Sequence, residues 1–169
     1  MQNNNAELKI ITYPDPTLRK KSEKVKEVDN EIKDLIKNMI KTMEKNQGIG
    51  LAAPQVGVLK RIIIALTDNG PKAFINPKII KKTKETEIME EGCLSFPGLF
   101  LEIKRWKGVE IEALDGNGNK IKADGLLARI LQHEIDHLDG ILFIDRISFW
   151  QRLKIKKKLK EFEKSYGSN

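Results

Sequence analysis

The amino-acid sequence predicts an α+β fold: antiparallel β-sheets packed around a central H-E-x-x-H helix, with an N-terminal helix and a C-terminal helix. Three observations lead there. Apolar residues recur at three- and four-residue spacing in one segment near each end, the mark of amphipathic helices. Between them, β-branched runs of strand length are separated by Gly, Pro, Asn and Asp turns. Those connections are too short for the helical crossovers of a parallel sheet, so the strands pair antiparallel.

Taken in order, Tyr13-Pro14-Asp15-Pro16 holds the chain extended or turning, since each proline fixes its own φ and disfavours helix at the residue before it. Asp29 is a fitting N-cap for the first helix. Its stripe is Ile32, Leu35, Ile36, Met39, Ile40 and Met43, running to about Lys45. Gly48, Gly50, Pro54 and Gly57 mark the next stretch as a loop. Residues 61–66 read as a strand, Asp68-Asn69-Gly70-Pro71 as a turn, and 73–80, 84–91, 99–105 and 108–114 as further strands. Asp115-Gly116-Asn117-Gly118 is a hairpin signal before Lys120-Ile121-Lys122. Asp124 should cap a helix over about 125–138 that Asp139-Gly140 ends. The last helix should start near Ser148, with Ile155, Leu159, Phe162 and Tyr166 as its docking stripe.

The chain of 169 residues is the length of one domain, and 40% hydrophobic with 33% charged residues argues against disorder. No apolar run approaches the ~20 residues of a membrane span, and MQNNNAELK lacks the apolar core of a signal peptide. The lone Cys93 has no internal disulfide partner, so a cytoplasmic setting with a free thiol is expected. The net charge of +7 is uneven: Arg146 to Asn169 holds eight cations against two anions, leaving +1 for residues 1–145. Residues 148–169 therefore read as a basic helical extension of a nearly neutral body spanning 1–147.

His133-Glu134-Ile135-Asp136-His137 is an H-E-x-x-H motif inside a predicted helix, the context it requires. Residues i and i+4 share a helix face, so two imidazoles can hold one divalent ion, with Glu134 beside it as general acid/base. By itself the motif leaves a metallopeptidase open, as well as a structural metal in an RNA-binding module. Cys93, in the turn-like EGCLSFPG at 91–98, is the candidate third ligand. One thiolate and two imidazoles leave a fourth position for water, as catalytic sites need. Gly48-Ile49-Gly50-Leu51-Ala52-Ala53-Pro54-Gln55-Val56-Gly57 has neither a leading strand nor a Gly-Lys-Ser/Thr, so it is no phosphate loop. Its glycines suit close approach to a peptide, and Gln55 offers a neutral amide donor.

GIGLAAPQVG at 48–57, EGCLS at 91–95 and QHEIDHLDG at 132–140, together with YPDPTLR, INP at 75–77 and ADGLLAR at 123–129, closely resemble the peptide deformylase family. The resemblance covers about residues 8–147. It implies a metal-dependent hydrolase that removes the formyl group from the N-terminal formyl-methionine of newly synthesised proteins and releases formate. It also implies Cys93, His133 and His137 as metal ligands, Glu134 as acid/base, and Gln55 with the backbone N–H of Leu94 as oxyanion hole. Gly50 should line the formyl site, and Ile49, Glu91, Gly92, Ile130 and His133 should border the methionine pocket. Ligand chemistry favours Zn(2+), whereas the resemblance implies Fe(2+), with zinc, nickel or cobalt also able to bind. The basic C-terminal helix resembles extensions that dock on ribosomal RNA near the peptide exit tunnel. One departure stands out: many members carry Arg seven residues after the ligand cysteine, where this chain has Phe100.

Overall fold

A computed structural model describes residues 7–114 and 120–166. The first helix, α1 (Asn30–Lys45), begins where expected, because the Asp29 carboxylate accepts from the Ile32 N–H at 2.9 Å. Met39, Thr42 and Met43 are its buried positions.

The strands are β1 (Gly50–Ala52), β2 (Ile62–Thr67), β3 (Gly70–Lys82), β4 (Thr86–Cys93), β5 (Phe96–Trp106), β6 (Gly108–Leu114) and β7 (Lys120–Asp124). All pair antiparallel, in a five-stranded sheet ordered β1-β2-β3-β6-β7 and a β4-β5 hairpin. The DGNG hairpin signal at 115–118 lies outside the described residues.

Two elements differ from the sequence reading. The glycine-rich 48–57 segment is not all loop: Gly50 to Ala52 pair with Ala65 to Ile63, and Ala53–Val56 form a 3-10 turn. The strand is three residues long and owes its existence to β2, a partner that local propensity does not register. Cys93 ends a strand rather than sitting in an open turn, with Glu91 and Gly92 also in β4 and only Leu94 and Ser95 connecting to β5.

The isoleucine run of β2 is buried throughout because both faces are covered. Ile63 and Ala65 pack in one core with Phe74, Ile111, Leu131 and Ile135. Ile62 and Ile64 pack on the opposite side with Met39, Met43 and Leu51. Alternation across the strand sends successive side chains to the two layers.

The central helix α2 (Gly125–Leu138) lies in the first of these cores, and every residue from Ala128 to Leu138 is buried. Asp124 precedes it but its side chain makes no capping hydrogen bond. The Gly125 N–H, one of the first four donors of the helix, donates to the Lys107 carbonyl at 3.1 Å. Past the helix, the Ile141 N–H donates back to the Asp136 carbonyl at 3.0 Å.

The last helix, α3 (Phe149–Tyr166), is opened by a reciprocal cap. The Ser148 N–H donates to Gln151 Oε1 at 2.9 Å, and the Gln151 N–H donates to Ser148 Oγ at 3.3 Å. Phe162 is buried in a third core with Leu18, Phe96, Leu101, Ile103 and Phe143, and Ile155 and Leu159 lean on it. Phe96 makes ring contacts with Tyr13, Phe143 and Phe162 at centroid distances of 4.9, 5.0 and 6.0 Å. That aromatic stack begins three residues after Cys93 and ties the β4-β5 hairpin to α3.

Candidate active site

Helix α2 presents His133 and His137 one turn apart on one face, their ring centroids separated by 5.1 Å. The end of β4 brings Cys93 to them, with Sγ 3.3 Å from His137 Nε2. One ligand atom from each of the three lies within 4.8 Å of the others. Two tetrahedral bonds of about 2.0–2.3 Å separate their ligand atoms by about 3.3–3.8 Å, and the Cys93–His137 pair stands at such a distance. The donors, a thiol and two imidazoles, fit a borderline-soft divalent metal.

The tautomer of His133 follows from its partner. Glu91 Oε2 stands 2.9 Å from His133 Nδ1, and burial, which opposes ionisation of Glu91, is outweighed by hydrogen bonds from His133 and Arg105 that hold its pKa down at about 2. An ionised carboxylate only accepts, so Nδ1 carries the proton and Nε2 is the ring nitrogen left for another partner. Burial works against charge on His133, but the adjacent Cys93 and Glu91 groups raise its pKa well above the ordinary value. At His137 burial and the neighbouring His133 lower it, which favours the neutral, ligating ring.

Glu91 is itself held by two guanidinium groups. Arg105 donates to it through Nε at 2.9 Å and Nη2 at 3.0 Å, and Arg129 through Nη1 at 2.7 Å. Arg129 also donates to the carbonyls of Ile103 and Glu87, and Arg105 reaches Asp136, which Arg146 pairs from the far side. The methionine-pocket expectation for Glu91 therefore meets a carboxylate that lines the cleft but is fully engaged behind it.

Glu134, next to His133 on the helix, is buried, and its Oε2 has no hydrogen-bond partner among the described residues. Burial raises its pKa to about 7. The backbone of β1 closes over it. A Cβ on Gly50 would collide with Glu134 Oε1 and stand 2.9 Å from Ile130 Cγ2, so only glycine allows this approach.

Gln55 is fixed at both ends of its amide. Its Oε1 accepts from the Ala52 N–H at 2.8 Å, which turns Nε2 toward Ser95 Oγ at 3.1 Å and Cys93 Sγ at 3.5 Å. Leu94 follows Cys93 in the connection to β5.

Ile49, Gly50, Gln55, Glu91, Gly92, Cys93, Leu94, Ile130, His133 and Glu134 line one cleft of about 610 Å³. His137 lies behind it, 1% exposed. A larger depression of about 700 Å³ lies by Lys81, Lys82, Thr83 and Asp124. It holds no comparable donor set, so chemistry and not size marks the site.

The match to known proteins agrees with this arrangement. Residues 7–153 fit the sequence model of the polypeptide deformylase family. The chain belongs to the polypeptide deformylase family. It is 44% identical over 159 residues to the peptide deformylase of Thermotoga sp. strain RQ2, covering 93% of this chain and 97% of that protein. It is 50% identical over 162 residues to that of Thermodesulfovibrio yellowstonii, covering 90% and 96%. The crystal structure of peptide deformylase from Plasmodium falciparum superposes with a TM-score of 0.89 at 39% identity, covering 95% of this chain and 98% of that one. Membership makes this chain a metal-dependent hydrolase that removes the N-formyl group from nascent peptides. No helix among the described residues is long and apolar enough to cross a membrane.

Sequence reasoning missed Arg105, Arg129, Asp136, Arg146 and Ser95. A signal for Arg105 exists in β5, where Leu99, Leu101 and Ile103 alternate inward and put Arg105 in the same buried row. A guanidinium there needs carboxylate partners.

Proposed function

We propose that Cys93, His133 and His137 hold one divalent ion, ferrous iron in the cell, and that Glu134 is the acid/base of formyl-methionine hydrolysis. The bound ion supplies Lewis-acid polarisation and lowers the pKa of water toward neutrality. Glu134 Oε2, without a hydrogen-bond partner among the described residues, takes the proton of the attacking water. As the new C–O bond forms at the formyl carbon, the Gln55 amide and the Leu94 N–H donate to the developing oxyanion. Glu134 then delivers its proton to the leaving nitrogen as the C–N bond breaks, giving formate and a free amino terminus. Gly50 leaves room for the formyl group, while Ile49, Gly92 and Ile130 shape the methionine pocket.

The observation that carries this reading is the meeting of a thiol, two imidazoles and a carboxylate oxygen without a hydrogen-bond partner among the described residues, at one cleft with His137 just behind its wall. Formate release by Fe(II)-loaded protein from formyl-Met-Ala-Ser, set beside cleavage of an unformylated peptide containing internal bonds, tests it. Formate without chain cleavage is expected; internal cleavage would make the protein an endopeptidase.

Iron rests on the family resemblance, since ligand type alone suits zinc. Metal content after oxygen-free purification decides between them, and activity indifferent to air would count against iron. A cytoplasmic site of action agrees with the lone thiol Cys93.

The basic α3 is proposed to dock on ribosomal RNA near the peptide exit tunnel, where substrate emerges. Its support is the charge of +6 carried by residues 146–169. Ribosome co-sedimentation should weaken steeply with salt and disappear on truncation after Arg146. Binding unchanged by truncation would contradict it.

A further inference from the structure

We propose that Arg146, which lies outside every motif noted in the sequence, is a positioning residue for the metal ligand His133 and acts through Asp136, Arg105 and Glu91. The inference rests on the ligand set proposed above and extends it to the segment between α2 and α3.

A row of alternating charge runs without a break from Arg146 to the His133 ring. Arg146 donates to both oxygens of Asp136, through Nε to Oδ2 at 3.0 Å and through Nη2 to Oδ1. Asp136 Oδ2 also accepts from Arg105 Nη1. Arg105 turns its two other nitrogens to Glu91, at 2.9 and 3.0 Å, and Glu91 Oε2 accepts from His133 Nδ1 at 2.9 Å. Every member of the row is buried except Arg146, whose side chain is 40% exposed.

The backbone aims Arg146 at this target. Phe143–Asp145 form a 3-10 turn, and the Arg146 N–H donates back to the Phe143 carbonyl at 3.0 Å. The Asp145 carboxylate fixes the start of the turn through the Leu142 N–H at 2.9 Å and pairs with Arg19 and Arg152.

Competition within the row gives Arg146 its effect. Arg105 serves two buried carboxylates with one guanidinium, and among the described residues the Asp136 carboxylate accepts from Arg105 and Arg146. Without Arg146, a buried carboxylate loses its two-pronged partner and draws the Arg105 fork toward itself. Glu91 then keeps Arg129 but loses its hold on Arg105, and the His133 ring loses the fixed acceptor that orients it. A lysine at 146 supplies charge without the two-pronged grip, so it restores the row only in part.

The test measures the Zn(2+) affinity of the full-length protein by chelator competition. Arg146→Met should bind Zn(2+) about tenfold more weakly, the lower end of the range for losing an outer partner of a ligand, and Arg146→Lys should fall between that and wild type. Arg61→Met, which breaks a pair with Asp139 outside the row, should keep wild-type affinity. Glu91→Gln interrupts the row at its inner end, so adding Arg146→Met to it should weaken binding no further. Wild-type affinity in Arg146→Met would overturn the inference. So would the same tenfold loss in Arg61→Met or in the Glu91→Gln background, since a general loosening of the fold acts in all of them. A wild-type Zn(2+) affinity that Cys93→Ala leaves unchanged would instead overturn the ligand set itself.

Discussion

Glu91 Oε2 accepts a hydrogen bond from His133 Nδ1 at 2.9 Å, while the same carboxylate takes three more from Arg105 and Arg129. One buried carboxylate thereby orients the His133 ring and pairs with two buried guanidinium groups, with Asp136 as a second anion on Arg105. Glu91→Ala leaves both cations without their shared partner and frees the His133 ring. It should cost about 3–5 kcal/mol in urea unfolding, the scale for breaking a buried ion pair. Metal affinity, read by chelator competition, should fall 10- to 100-fold, as is common when an outer hydrogen bond to a ligand is lost. Unchanged values in both measurements would show that Glu91 merely lines the pocket.

Gln55 presents its Nε2 to the region of Cys93 because Ala52 N–H occupies its Oε1. Gln55→Ala should therefore lower kcat by about 10² to 10³, the usual cost of one oxyanion donor. Metal content should stay at the wild-type level, since Gln55 is not a ligand. Ser95→Ala, which removes only the hydroxyl 3.1 Å from Nε2, should do less damage. A Gln55→Ala enzyme with full turnover would remove this residue from the mechanism.

Away from the cleft, Asp145 ties the segment after α2 to the N-terminal part of the chain. Its carboxylate accepts from the Leu142 N–H at 2.9 Å and pairs with Arg19 and Arg152. Burial opposes its ionisation, but the Arg19 hydrogen bond and the Leu142 N–H outweigh it and lower its pKa below the ordinary 3.8. A carboxyl with a lower pKa folded than unfolded adds stability above pH 3.8 and loses it as pH falls through the folded value. Asp145→Asn should therefore be less stable than wild type at pH 7, by about 1 kcal/mol for so accessible a pair. The gap should close in acid as the wild-type carboxyl becomes neutral too. A difference that persists below the folded pKa would point to packing instead of charge.

What the sequence revealed and concealed divides along local and non-local lines. Asp29 and the stripe to Met43 encode α1 within one short segment, and the fourfold spacing of His133 and His137 encodes their common face. Cys93 could be picked as the candidate third ligand from its rarity, although 40 residues separate it from His133, and the structure brings the two together. β1 could not be read, because Gly50, Leu51 and Ala52 become a strand only beside Ile63 to Ala65. Nor could the partnership of Glu91 with Arg105 and Arg129, which lie 14 and 38 residues away and meet only after the β4-β5 hairpin packs on α2. Asp124 shows the converse. Its type and position suited a cap, but its side chain makes no capping hydrogen bond, and the helix's first donor, the Gly125 N–H, is met by the Lys107 carbonyl from another part of the chain.

The most direct test of the central claim is the rate of formate release from formyl-Met-Ala-Ser by Glu134→Gln, with its metal content measured in the same preparation. Glu134 is not among the three proposed ligands, and its Oε2, without a hydrogen-bond partner among the described residues, is the group assigned to carry the proton. The variant should bind metal in the wild-type ratio and release formate about 10² to 10⁴ times more slowly. Wild-type activity should itself decline in acid, with an apparent pKa below about 7, because the base form of Glu134 is required and a bound cation draws its pKa down from the value burial sets. A metal-replete Glu134→Gln enzyme that deformylates at the wild-type rate would contradict the account.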